Sequence, residues 1–163
     1  MTKEANRNQN MAEGIIIPPA TQFVTLTGDY GQSNFVMRRG GRLPEVKIAY
    51  ETWGKLSSNH DNVILLFTGL SPSAHACSSA QDPSKGWWEF MIGKGKAIDT
   101  ERFYVICVNS LGSCFGSTAP LSINPDTGKQ YGLLFPELTM EDIAKSAHHA
   151  LNDLGIDLSL IHI

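Results

Sequence analysis

The chain has 163 residues, of which 42% are hydrophobic and 18% charged, with a formal net charge of −3. That length suits one domain with room for a buried core, and the weak acidity gives no basis for binding nucleic acid or an anionic membrane. No apolar run approaches the roughly 18 residues that a membrane-spanning helix needs. The polar residues 1–10 lack the apolar centre of a signal peptide. Three cysteines, Cys77, Cys107 and Cys114, fit neither a disulfide framework nor a zinc spacing. The sequence therefore predicts no metal and a reducing, cytoplasmic setting.

Residues 1–14 read as a disordered leader and 15–163 as a single domain. Ile15 to Ile17, before Pro18-Pro19, is an extended entry. Phe23–Leu26, Asn34–Met37 and Val46–Tyr50 read as short strands separated by the turn signals Gly28-Asp29-Tyr30-Gly31 and Arg39-Gly40-Gly41. Strands this closely spaced predict an antiparallel β-meander at the start of a mixed sheet. Asp61–Phe67 is a continuous apolar run, the pattern of a strand buried on both faces, and it ends in the Gly/Ser/Pro loop Thr68–His75. Gly86–Gly93 is an aromatic turn or short helix, in which the paired Trp87 and Trp88 serve packing. Tyr104–Val108 is the next central strand.

A long stretch rich in Gly, Ser, Thr, Asn and Pro follows that strand, with Leu111, Phe115, Leu121 and Ile123 to tether it to a core. Long loops in compact domains are usually functional or disordered. Its position at the carboxyl end of a strand is where open α/β sheets bind ligands. Gly112-Ser113-Cys114-Phe115-Gly116 matches a thiol version of the nucleophile elbow, but the elbow requires a helix immediately after it. Here Pro120, Pro125 and Gly128 follow, so Cys114 is read as a small loop residue. Thr139–Leu154 is the best helix, with a Thr139/Asp142 capping box and Ile143, Ala147, Leu151 and Leu154 on one face. His148 and His149 point about 100° apart on it and are read as surface or rim residues. Leu158–Ile163 reads as the start of another strand. The order of elements is the front half of an α/β fold.

Several stretches together resemble the α/β-hydrolase-fold O-acyltransferases that act on homoserine or serine. They are Tyr50-Glu51-Thr52-Trp53-Gly54, Gly86-Trp87-Trp88, Gly95-Lys96-Ala97-Ile98-Asp99-Thr100, Asn109-Ser110-Leu111-Gly112-Ser113-Cys114, Gly116-Ser117-Thr118, Ser122-Ile123-Asn124-Pro125 and Phe135-Pro136. The resemblance covers most of residues 45–155. Members that acetylate homoserine carry His-Ala-Leu-Thr-Gly after the first long strand. The Phe67–His75 version looks more like the branch that succinylates L-serine for cysteine synthesis, with homoserine O-acetyltransferase of methionine synthesis as the alternative.

The resemblance implies a Ser-His-Asp double displacement on an acyl-CoA co-substrate, with no prosthetic group and a homodimer at full length. It places the oxyanion-hole loop at Thr68, Gly69 and Leu70, and a substrate-specificity loop at Ser71, Pro72, Ser73, Ala74 and His75. His75 either meets the acyl carboxylate or hydrogen-bonds within the loop. Asn109 and Ser110 border the same pocket or simply close the strand end. The family's Gly-Gly-Ser elbow, aspartate and histidine would all lie beyond Ile163, and Ser159 lacks the glycines an elbow needs. The expectation is an α/β-hydrolase domain truncated before its nucleophile, with no catalytic residue of its own and inactive alone. A thiol enzyme built on Cys114 and a non-catalytic interaction module are the other readings.

Overall fold

The computed structural model describes residues 17–26, 34–69 and 71–156. The readings of 1–14, of Leu70, and of the strand and Ser159 within 158–163 lie outside the described residues. The frame is a four-stranded sheet of β1 (Gln22–Leu26), β4 (Val46–Trp53), β6 (Tyr104–Val108) and β5 (Val63–Phe67), in that spatial order. β1 and β6 both run antiparallel to β4, and β5 pairs with β6 in parallel. The sheet is mixed, as the sequence predicts.

The lead-in differs from a meander. β2 (Phe35–Val36) and β3 (Arg42–Leu43) pair only with each other, closed by reciprocal backbone bonds between Met37 and Gly40–Gly41. β4, not β2, lies beside β1. The reason is burial: Phe35, Met37 and Leu43 are 2% exposed or less and belong to the core on one face of the sheet. The hairpin covers that face and so cannot extend the sheet edge.

Strand alternation divides the core in two. Val63, Leu65, Ile106 and Val108 face the hairpin and helix α1 (Met140–Asp153). Ile64, Leu66, Val105 and Cys107 face the β5–β6 connection, with Trp53, Ala74, Ala76, Ile92 and Ile98. This double covering explains the unbroken apolar runs of β5 and β6.

The helix is built as its sequence predicts, with the Thr139/Asp142 capping box formed. Asp142 does more than cap. Its carboxylate also accepts the backbone N–H of Arg38 at 2.8 Å, tying the hairpin to the helix start. Burial alone would raise the Asp142 carboxyl, but the hydrogen bonds from Arg38 and Thr139 outweigh it and hold it below the ordinary aspartate value. His149 corrects the surface reading: it is buried, with its ring edge-on to Phe35 at 5.9 Å. His148 is exposed, as expected.

Gly54 ends β4 with φ +82°, and a Cβ there would stand 2.1 Å from the Phe103 carbonyl oxygen. Gly54→Ala should lower the unfolding free energy by about 3 kcal/mol, from backbone strain and overlap together. Asp142→Ala should cost about 2 kcal/mol, from the cap and the tie to Arg38. The Asp142 contribution is present above the ordinary value of 3.8 and is lost as pH falls through the lower folded value. Urea midpoints of the two variants between pH 7 and pH 3 test both effects.

Candidate functional site

The carboxyl ends of β5 and β6 hold the residues singled out by sequence. Phe67 pairs with Val108 as the last residues of the parallel ladder, so Thr68 and Asn109 emerge side by side. Both are buried, and alternation directs them to the face covered by the β5–β6 connection. The Thr68 hydroxyl and both amide atoms of Asn109 make no hydrogen bond among the described residues. Buried polar side chains are nearly always paired, which marks this spot as one that a further polar group would complete. Gly69 and Ser71 are exposed, and Ser110 is half-buried.

The long loop after β6 is fixed by its own hydroxyls. Ser117 accepts the Ala49 N–H at 3.0 Å and donates to the Asn109 carbonyl at 2.6 Å. Thr118 accepts the Lys47 N–H at 2.8 Å and returns its own N–H to the Lys47 carbonyl. These side chains satisfy β4 beyond the end of β6, which is the physical role of the Gly-Ser-Thr motif. Farther on, β7 (Ile123–Asn124) and β8 (Lys129–Gln130) form a small hairpin. Leu111 anchors the loop at 2% exposure, whereas Leu121 is 44% exposed and is no tether, contrary to expectation. Cys114 is exposed, and the chain after it runs into the pinned Ser117–Thr118 pair instead of a helix.

Sequence reasoning missed the polar cluster beneath the loop after β5. Glu51, 1% exposed on β4, accepts from the Thr21 hydroxyl at 3.1 Å and from His75 Nδ1 at 2.9 Å. The other ring nitrogen of His75 donates to the Ser84 carbonyl at 3.0 Å, and Asp82 lies 3.8 Å from the ring. A carbonyl can only accept, so Nε2 carries hydrogen, and beside an ionised Glu51 a doubly protonated His75 satisfies both contacts. Burial alone would lower the His75 pKa, but Glu51, the Ser84 carbonyl and Asp82 outweigh it and raise it. Burial pushes the Glu51 carboxyl up, against the opposing bonds from His75 and Thr21. A lone glutamate in an apolar strand was the available signal.

Polar ties also hold the rest of the connection. The Glu89 carboxylate accepts the Ser78 N–H, the Ser78 hydroxyl and the Gly86 N–H, which brings its pKa down to about 2. The Trp87 indole N–H donates to the Ser73 carbonyl at 3.0 Å, and its ring stacks on Trp88. Gly86 is required by contact: a Cβ would stand 2.2 Å from the Ala76 carbonyl carbon. A cleft of about 630 Å³ opens at the other end of the sheet, among Gln22, Thr52, Trp53, Cys77, Ser78 and Gln81. Its walls carry no charged side chain, so it offers no acid–base pair.

Ser84 Oγ lies 3.2 Å from His75 Nε2, which together with Glu51 imitates a Ser-His-acid triad in distance. The roles do not fit. The Ser84 hydroxyl gives its proton to Asp82 at 2.6 Å, and Nε2 donates to the Ser84 carbonyl. No imidazole lone pair faces the hydroxyl, whose hydrogen is directed at the Asp82 carboxylate. A fluorophosphonate ester should therefore leave Ser84 unmodified at neutral pH, and a phosphonyl mass on the peptide containing Ser84 would overturn this reading.

No family model matches the chain. It is 62% identical over 141 residues to a serine O-succinyltransferase of Litchfieldella anticariensis, covering 86% of this chain and 37% of that protein. It is 55% identical over 140 residues to an L-serine/homoserine O-acetyltransferase of Streptomyces lavendulae, covering 86% of this chain and 36% of that one. Among solved structures, a homoserine O-acetyltransferase from Bacillus anthracis superposes with a TM-score of 0.71 at 33% identity, over 83% of this chain and 37% of that one. The esterase E22 superposes at 0.70 with 38% identity, over 83% of this chain and 38% of that one. The chain thus spans little more than a third of the length of the relatives it matches. Over that span it belongs to the homoserine/serine O-acyltransferase family and carries the amino-terminal portion of its α/β-hydrolase fold.

Proposed function

We propose that the complete protein transfers a succinyl group from its CoA thioester to the hydroxyl of L-serine. The observation that carries this reading is the 62% identity to a serine O-succinyltransferase. Transfer to homoserine is the near alternative, supported by the likeness to an enzyme named for both acceptors. Ester hydrolysis is the reading favoured by the likeness to esterase E22.

The reaction is a double displacement. A serine hydroxyl beyond Ile163 attacks the thioester carbonyl, a histidine takes its proton, and the C–S bond breaks as CoA leaves as thiol. The amino-acid hydroxyl then attacks the acyl-enzyme, and its proton passes through the same histidine to the departing serine. This chain's part is the pocket. In this reading, backbone N–H groups of Thr68 and Gly69 line the oxyanion side, Ser71–His75 border the acyl group, and Asn109 and Ser110 meet it from β6. No prosthetic group is needed, the setting is cytoplasmic, and the complete protein is a homodimer.

The test uses the complete protein from the source gene, with thiol release followed for succinyl-CoA and acetyl-CoA against L-serine and L-homoserine. Succinyl-CoA with L-serine should give the highest kcat/KM, while the 163-residue chain alone should release no thiol above background. Thiol release independent of either acceptor would favour hydrolysis and overturn the proposal, as would a protein that consumes neither thioester.

A further inference from the structure

Among the described residues, the β5–β6 connection from Thr68 to Phe103 contains neither a helix nor a strand, apart from a single bridge between Ile92 and Ile98. Turn hydrogen bonds, core packing and side-chain ties hold it in place, and one of these ties reaches the middle of the sheet. His75 joins Glu51 on the central strand β4 to the Ser84 carbonyl, with Asp82 close by. The His75 backbone N–H donates to the Ser73 hydroxyl at 3.3 Å, and the Ser73 carbonyl accepts from the Trp87 indole N–H. Ser73, in the loop that follows β5, is thereby linked both to His75 and to Trp87.

We propose that His75 is a positioning residue for acyl transfer: gripped by Glu51, Asp82 and Ser84, it fixes the Thr68–Ser73 turn against the sheet and so keeps the oxyanion-side N–H groups aimed at the reacting carbonyl. The proposal rests on the acyl-transfer reading above. Both ring nitrogens are committed inward, so His75 acts through the loop and does not hold the acyl carboxylate. Removing it would leave the Glu51 carboxylate buried without its cation, the situation in which breaking a pair is most damaging. Misplacing oxyanion donors by about 1 Å can cost about a hundredfold in rate.

The tie has a pH sense. The groups facing it are Glu51 from β4, Thr21 ahead of β1, Asp82 and Ser84 from the connection, and the Cys107 thiol of β6 opposite Glu51. Folding raises the His75 pKa, so the charged tie is complete below the ordinary histidine value of 6.5 and is lost as pH rises through the raised folded value.

The experiment places His75→Gln, Glu51→Gln and the milder Asp82→Asn in the complete protein. It follows steady-state kinetics from pH 6 to 10 alongside the Trp87 indole N–H resonance, which reports the Ser73 carbonyl. His75→Gln should lower kcat about tenfold to a hundredfold, leave both KM values within about twofold, shift the Trp87 resonance and abolish its pH titration. Asp82→Asn should fold and move that titration to lower pH. A His75→Gln protein that raises only the KM of succinyl-CoA, with Trp87 unmoved, would overturn the proposal in favour of direct contact with the acyl group. Unchanged kcat in a folded variant would overturn it as well. A wild-type protein without acyl transfer would defeat the functional reading alone, because the Trp87 resonance still decides whether His75 holds the loop.

Discussion

A carboxylate on the central strand of a sheet is costly to bury, and Glu51 is only 1% exposed. Desolvating such a group costs several kcal/mol unless a cation and hydrogen bonds compensate. Here the compensation comes from two distant parts of the chain: Thr21, ahead of the edge strand, and His75, in the connection after β5. Neither can leave without exposing the other's partner to an apolar surround. The Glu51–His75 pair therefore couples the antiparallel start of the fold to the parallel half, and the loop that follows β5 inherits its position from it.

The same strand also anchors the second loop. β4 runs past the end of β6 towards its own amino end, where the Ser117 and Thr118 hydroxyls accept its Lys47 and Ala49 N–H groups. β4 is thus held by backbone pairing with β1 on one side and, on the other, by β6 and then by side chains standing in for a strand. Both loops that flank the candidate pocket are tied to one rigid element. That is how a scaffold can hold loop residues to tight tolerances without helices inside the loops.

What was legible in the sequence was the part governed by local periodicity. Tyr104–Val108 forms a strand with the bounds its apolar run predicts, and Thr139 with Asp142 caps the helix as the motif requires. The failures are those of tertiary partnership. Phe35 and Leu43 show strand patterning but pair with each other in a hairpin, because the face of the sheet needed covering. His149 looks like any polar helical residue, yet it lies on the helix face that meets Phe35. Leu121 reads as a tether but remains exposed. For the site, Thr68, His75 and Asn109 were singled out from the strand ends, while Glu51, Asp82 and Ser84 were not. Only the fold brings β4 under the loop, and no local pattern encodes a contact across that separation.

The pentapeptide Tyr50–Gly54 shows why a short motif can mark a family. Tyr50 packs into the core on the helix side, and Glu51 points to the other face and grips His75. Thr52 meets Gln22 of β1 through its hydroxyl. The Trp53 indole N–H donates to the Cys77 carbonyl at 3.1 Å, deep in the second core. Gly54 lets the chain turn where any side chain would strike the Phe103 and Thr100 carbonyls. Every residue answers to a different neighbour, so the five constraints cannot be met by trading one substitution against another. A sequence that keeps all five is constrained by the joint geometry of the sheet and the β5–β6 connection. The segment therefore carries information about the candidate pocket while lying wholly outside it.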